Sequence, residues 1–266
     1  MTSYDYPLTG SIEVSCRLGA GSLTVRADED RDDARVTVTP RQADSDLLSR
    51  STIELRGRQL IVHVPDTQAS PGTRRSRDSV DVEIDLPAGT ELKAVVGSAD
   101  IDVQGRIGSL DIGSGSARIS LDQVDGGLQV RGGSGELRVA RITGPATVKG
   151  GAGRIRIGRA DADLTVVVGS GDLELGAAHG QVTMRSGSGG AVIDAAERDL
   201  NLTSGSGAFT VGLLPGQQAE LDIKTGSGRV RTEMPLESSS PVASSPILIR
   251  ARTGSGDVTI RRAMAQ

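Results

Sequence analysis

A Gly-Ser-Gly tripeptide or a near variant recurs nine times along this chain, and five copies keep an unbroken 18-residue beat. These are Gly133-Ser134-Gly135, Gly151-Ala152-Gly153, Gly169-Ser170-Gly171, Gly187-Ser188-Gly189 and Gly205-Ser206-Gly207. Looser copies stand at Gly97-Ser98-Ala99, Gly113-Ser114-Gly115, Gly226-Ser227-Gly228 and Gly254-Ser255-Gly256. A fixed short period marks a stacked array in which each unit rests on its neighbours, and it outranks any local reading.

With the first glycine of each motif as position zero, positions 4 and 6 are apolar almost throughout: Ile101 and Val103, Ala117 and Ile119, Leu137 and Val139, Ile155 and Ile157, Leu173 and Leu175, Phe209 and Val211, Val258 and Ile260. In the regular block positions 13 and 15 do the same, with Ala146 and Val148, Leu164 and Val166, Val182 and Met184, Leu200 and Leu202. Alternation of this kind puts the apolar side chains on one face of a strand. Position 9 holds Ile142, Ala160, Ala178 and Ala196, small inward residues at the corner between the two strands. Glycine at this density costs close to 1 kcal/mol per site in a helix interior, so helices are nearly excluded. One such unit cannot bury its apolar face alone. Stacked units can, with strands pairing parallel at about 4.8 Å. The sequence therefore predicts an all-β, parallel β-solenoid with coils of about 18 residues and two short strands per coil. The motif glycines suit corners that need φ > 0 or close backbone approach.

The ends depart from the beat. Strands are expected at Ser11–Cys16, Ser22–Arg26, Arg35–Thr39 and Gln59–Val64, and Gly19-Ala20-Gly21 with Leu23 and Val25 echoes the motif. Residues 1–96 read as an N-terminal β cap with the first coils, interrupted by a flexible loop near 66–79. Residues 97–266 read as the repeat solenoid, with a Ser/Pro-rich loop near 237–246. Terminal units must cover an otherwise open strand edge, which is the cap's expected role.

Composition narrows the function classes. The chain has 36 glycines, one phenylalanine, two tyrosines and no tryptophan, with a net charge of −4 and both signs interspersed. No basic stripe is visible in chain order, and bases would find almost no aromatic side chain to stack on, so nucleic acid is not an expected partner. Cys16 is the single cysteine, which leaves no internal disulfide and no cysteine zinc cluster. No run of about 18 apolar residues exists to span a membrane. Met1–Pro7 has neither a basic stretch nor an apolar segment, so a native N-terminus here implies a cytoplasmic protein.

These features together resemble the DUF4097 family, labelled "putative adhesin", whose bacterial members carry β-strand repeats. The resemblance runs from about Gly10 to Arg262. It is carried by Gly19-Ala20-Gly21-Ser22-Leu23-Thr24-Val25 and by the serial Gly-Ser-Gly units. It is carried also by Leu221 to Gly228 after Leu214-Pro215-Gly216, and by Thr253 to Ile260. It implies a β-solenoid of non-enzymatic character, with no catalytic residues to carry over.

Each chemical possibility meets a simpler reading. Calcium β-rolls need aspartate ligands in every turn, whereas the motifs here are followed by Glu136, Arg154, Asp172, Gly190 and Ala208. Glycoside cleavage needs two carboxylates flanking a bound sugar. The candidate pairs, Asp100 with Asp102, Asp161 with Asp163 and Asp172 with Glu174, read as surface charge. His63 and His179 read as surface imidazoles and Cys16 as a buried structural thiol. Ser134, Ser170, Ser188 and Ser206 read as turn serines whose hydroxyls satisfy backbone groups. The outward columns Glu136, Arg154, Asp172 and Arg138, Arg156, Glu174 read as register-setting charge. No catalytic, cofactor or metal residue is assigned. The expected function is a non-catalytic, adhesin-like scaffold engaging an unidentified macromolecular partner or copies of itself. The alternatives are a self-assembling cytoskeletal solenoid, favoured by a bare terminal edge, and a carbohydrate-active β-helix enzyme.

Overall fold

A computed structural model of the chain describes residues 1–8, 10–42, 46–65, 79–233 and 246–263. Apart from Ser79 and Pro246, the two expected loops at 66–79 and 237–246 lie outside the described residues. The protein is a nearly all-β, parallel β-solenoid whose compact units are Met1–Glu136 and Leu137–Gln266.

The first unit contains β1 (Thr2–Pro7), β2 (Glu13–Leu18), β3 (Gly21–Asp28), β4 (Asp33–Pro40), the single turn α1 (Leu47–Arg50), β5 (Thr52–Arg56), β6 (Gln59–His63), β7 (Val80–Pro87), β8 (Glu91–Val96), β9 (Asp100–Ile107), β10 (Leu110–Val124) and the start of β11 (Leu128–Ile142). Chain order and spatial order differ here. The coil β2–β3 pairs in parallel with β8 and β9 on one side and with β6 and β7 on the other. The outer edges of β6 and β7 are covered by antiparallel strands, β5 on β6 and β4 on β7, with β1 antiparallel on β4. Thus the N-terminal strands cap the array, and they hide an edge that would otherwise be open. Neither β1 nor β5 is expected from the sequence, because cap strands lack the full apolar alternation; β1 buries Tyr4 and Tyr6 only partly, the latter donating its hydroxyl to Ile53 O at 2.9 Å.

The register corrects one motif. Ile119 and Leu121 stand opposite Ile101 and Val103, so the true corner is Gly115-Ser116-Ala117 rather than Gly113-Ser114-Gly115. A two-residue slip preserves the inward face, which is why the alternation did not reveal it. The beat therefore extends back through Gly97 and Gly115.

The second unit continues with β12 (Ala146–Ala160), β13 (Leu164–Val168), β14 (Asp172–Ala178), β15 (Val182–Ser186), β16 (Ala191–Ala196), β17 (Leu200–Ser204), β18 (Phe209–Leu213), β19 (Ala219–Thr225), β20 (Val230–Thr232), β21 (Ile247–Thr253) and β22 (Val258–Arg262). Its core is built from parallel columns, and Ile155, Leu173, Ala191, Phe209 and Val258 stand in one of them, all buried. Order is again exchanged near the C-terminus. β17 and β18 pair with β21 and β22, and only then do β19 and β20 follow on the far side. The coil β21–β22 is thus sandwiched between two coils that precede it in the chain.

The glycine corners are explained mainly by close approach. A Cβ on Gly187 would sit 2.7 Å from Gly169 O, and one on Gly169 would sit 2.6 Å from Gly151 O. On the regular beat only Gly135 and Gly153 take positive φ, both +142°. The corner hydroxyls that work are not those of the motif serines. Gly189 N–H donates to Ser186 Oγ (2.7 Å), Gly207 N–H to Ser204 Oγ (2.9 Å), Gly228 N–H to Thr225 Oγ1 (2.9 Å) and Gly256 N–H to Thr253 Oγ1 (3.1 Å). Ser134, Ser170, Ser188 and Ser206 are exposed instead. The functional hydroxyl lies one residue before the motif, on the inward face, and Thr253 Oγ1 also donates to Gly207 O at 2.9 Å, linking adjacent coils. Ser204→Ala should cost about 1–2 kcal/mol by stranding the buried Gly207 N–H; Ser206→Ala should leave the urea midpoint unchanged, and the two unfolding curves give the comparison.

Candidate functional site

The carboxylates considered for catalysis are occupied by structural duties. Asp100 Oδ1 accepts Arg118 N–H (2.9 Å), Asp163 Oδ1 accepts Gln181 N–H (3.0 Å) and Asp172 Oδ1 accepts Gly190 N–H (2.8 Å), each donor 18 residues ahead in the next coil. Asp199 and Asp257 do the same for Leu248 and Arg229. These side chains supply an acceptor for a backbone N–H of the neighbouring coil. Of their neighbours, Asp102 is bonded by Gln104 Nε2 (2.7 Å), and Glu174 takes Arg156 Nε at 2.8 Å and Arg154 Nε at 3.6 Å. Asp161 is pinned by Arg141 and Arg159. Burial pushes its carboxyl up, but the hydrogen bonds from the two guanidiniums outweigh that and hold it below the usual carboxylate range.

The histidines separate. His63 is exposed, as its place opposite Leu60 and Val62 predicts. His179 departs from the expected surface imidazole: it is part-buried, with Nδ1 2.8 Å from Glu197 Oε2 and a buried Nε2 3.9 Å from Asp161 Oδ1. Coil stacking brings these three together from positions 18 residues apart, a juxtaposition that the local sequence around His179 does not announce. Asp161 and His179 border a hollow of about 530 Å³ whose other lining includes Asp163, Gln181, Arg198 and Asp199. The carboxylates lining it are bonded to arginines or to backbone N–H groups. Cys16 is buried beside no base, and burial pushes its thiol up to about 12, leaving an inert hydrophobic side chain. Among the described residues no three His, Cys, Asp or Glu side chains converge to hold a metal ion.

The outer faces of the second unit differ in charge. On the β14 side two ion pairs form, Arg156 with Glu174 and Arg261 with Asp194 (both 2.8 Å), while Arg231 stands exposed opposite Thr259. On the other side, the column Lys149, Val167, Arg185, Thr203, Arg252, Lys224 runs across β12, β13, β15, β17, β21 and β19. Beside it runs Thr147, Thr165, Thr183, Asn201, Arg250, Asp222. Among the described residues Arg252 alone of the five cations is bridged to a carboxylate, Asp222 at 3.6 Å, which in the register stands opposite Arg250. The even mixing of signs in chain order is therefore corrected by the fold, which collects lysines and arginines into a basic stripe. Within the stripe, Val167 is an exposed apolar residue.

Coils closed by stacked glycines, with ion pairs on one outer face and a basic stripe on the other, define a parallel β-solenoid whose distinguishing chemistry lies on its surface. The chain belongs to the Toastrack DUF4097 family, whose model matches residues 17–266. It is similar to a "putative adhesin" from Bacteroides fragilis, at 12% identity over 98% of this chain and 96% of that one, with a TM-score of 0.49. It is similar also to a "putative lipid binding protein" from Parabacteroides distasonis, at 12% identity over 97% and 96%, TM-score 0.48. A "putative adhesin" from Parabacteroides merdae matches 80% of this chain and 95% of its own, at 12% identity and a TM-score of 0.41. No curated protein matches the chain. Among the described residues no helix is long and apolar enough to cross a membrane.

Proposed function

We propose that this protein is a non-catalytic solenoid scaffold that engages an acidic macromolecular partner through its basic outer face. Residues 1–96 serve as the cap in this reading, and the repeat block supplies the working surface. The carrying observation is the stripe itself: among the described residues Lys149, Arg185, Arg250 and Lys224 are exposed with no carboxylate bridged to them, while on the other face Arg156 is bridged to Glu174 and Arg261 to Asp194. Unpaired cations fixed at strand spacing on a rigid sheet offer complementarity without an ordering cost, and such complementarity steers association. Photo-crosslinkers at Thr165, on the basic face, and at Thr210, on the paired face, test this in the native host. Adducts should form from position 165 and disappear when Lys149, Arg185 and Arg250 are reversed to glutamate. Equal labelling from both positions, or labelling that survives charge reversal, overturns it. Incubation with a polysaccharide panel should release no reducing ends.

A further inference from the structure

The terminal coil β19–β20 is left open. Its inward residues Leu221 and Val230 are 41% and 49% exposed, whereas their partners one coil in, Ile249 and Val258, are both 0% exposed. Among the described residues β19 pairs with β21 alone and β20 with β22 alone, so each strand keeps one unpaired edge. A row of free N–H and C=O groups beside exposed apolar side chains is a template for another strand.

We infer that this edge is a homotypic interface, closed by β19 of a second copy lying antiparallel to the first. Charge chooses this occupant, because β19 carries Asp222 and Lys224 two residues apart on one face and is therefore self-complementary in an antiparallel pair. Such a pair is a two-fold, closed contact rather than an open chain of subunits, although among the described residues β1 and β5 of the first unit also keep one unpaired edge each. With Ile223 opposite its own copy, Asp222 on each strand faces the copy's Lys224, giving two opposite-charge pairs across the outer face. On the inner face Leu221 meets Thr225, and Ile223 meets Ile223. Opposed pairs of this kind set strand register.

Sedimentation of the full chain over a concentration series tests the interface. A discrete dimer is expected. Ile223→Glu should weaken it by at least about tenfold while circular dichroism stays unchanged. Asp222→Lys should weaken it through like-charge opposition to Lys224, and the double exchange Asp222→Lys with Lys224→Asp should restore it. A wild-type chain that stays monomeric overturns the inference, as it would if residues 234–245 covered the edge. Species growing beyond the dimer overturn the closed geometry, and a dimer indifferent to both the single and the double exchange overturns the assignment to β19. The contact shares Lys224 with the basic face, but the crosslinking test reverses only Lys149, Arg185 and Arg250, so either result leaves that test intact.

Discussion

Phe209→Ala is expected to destabilise the second unit by about 3–5 kcal/mol. Phe209, the only phenylalanine in the chain, is fully buried and stands between Ala191 on β16 and Val258 on β22. Alanine on one side leaves room that the ring fills, so truncation leaves two small residues in consecutive coils and a void that the backbone spacing of the sheet cannot close. Arg156→Ala serves as the comparison. It breaks the 2.8 Å contact with Glu174, but both side chains are substantially solvated, so the change should fall below about 1 kcal/mol. Urea unfolding of both proteins decides the matter; equal midpoint shifts would contradict the observed facing of these residues.

Gly187→Ala should be nearly as damaging, at or above the top of the roughly 1–3 kcal/mol range for overpacking. The added methyl would lie 2.7 Å from Gly169 O, and that obstacle is backbone held in the preceding coil, with no rotamer to swing away. Gly205 stacks on Gly187 in turn, so a displaced corner also disturbs the coil above. Ser188→Ala, one residue along and exposed, should be neutral. Thermal unfolding separates the steric cost of the first from the second; a neutral Gly187→Ala would mean that the corners tolerate expansion.

The inward columns were legible in the sequence because an 18-residue period sorts side chains without any knowledge of the fold. Leu173, Ile155 and Phe209 were placed by counting alone, and Cys16 by its alternation with Val14. The same count could not say which coil lies next to which. It placed residues 1–96 as a cap with the first coils and saw the echo of the motif at Gly19-Ala20-Gly21, but it did not set β2–β3 between β6–β7 and β8–β9, since equivalence of position carries no information about adjacency. For that reason the basic stripe went unseen: Arg250 and Arg252 join Arg185 only because β21, not β19, follows β17. The corner hydroxyls were misassigned by two residues. Ser188 sits in the conspicuous motif, yet it is the inward Ser186 that receives Gly189 N–H, and only backbone geometry distinguishes them. The clustering of His179 with Asp161 and Glu197 was hidden for a similar reason, being a contact across three coils.

The exchanged order of the last coils bears on how the chain acquires its structure during synthesis. From β10 to β18 each coil can be laid on the one just made, about 18 residues earlier, so contacts there stay local and assembly can advance along the array. β19 and β20 emerge next with nothing to pair against, because their only partners, β21 and β22, have not yet been translated. The final coil is consequently a keystone. Until it slots between β17–β18 and β19–β20, both neighbours wait with exposed edges, and this end of the array closes only after β22 has been made.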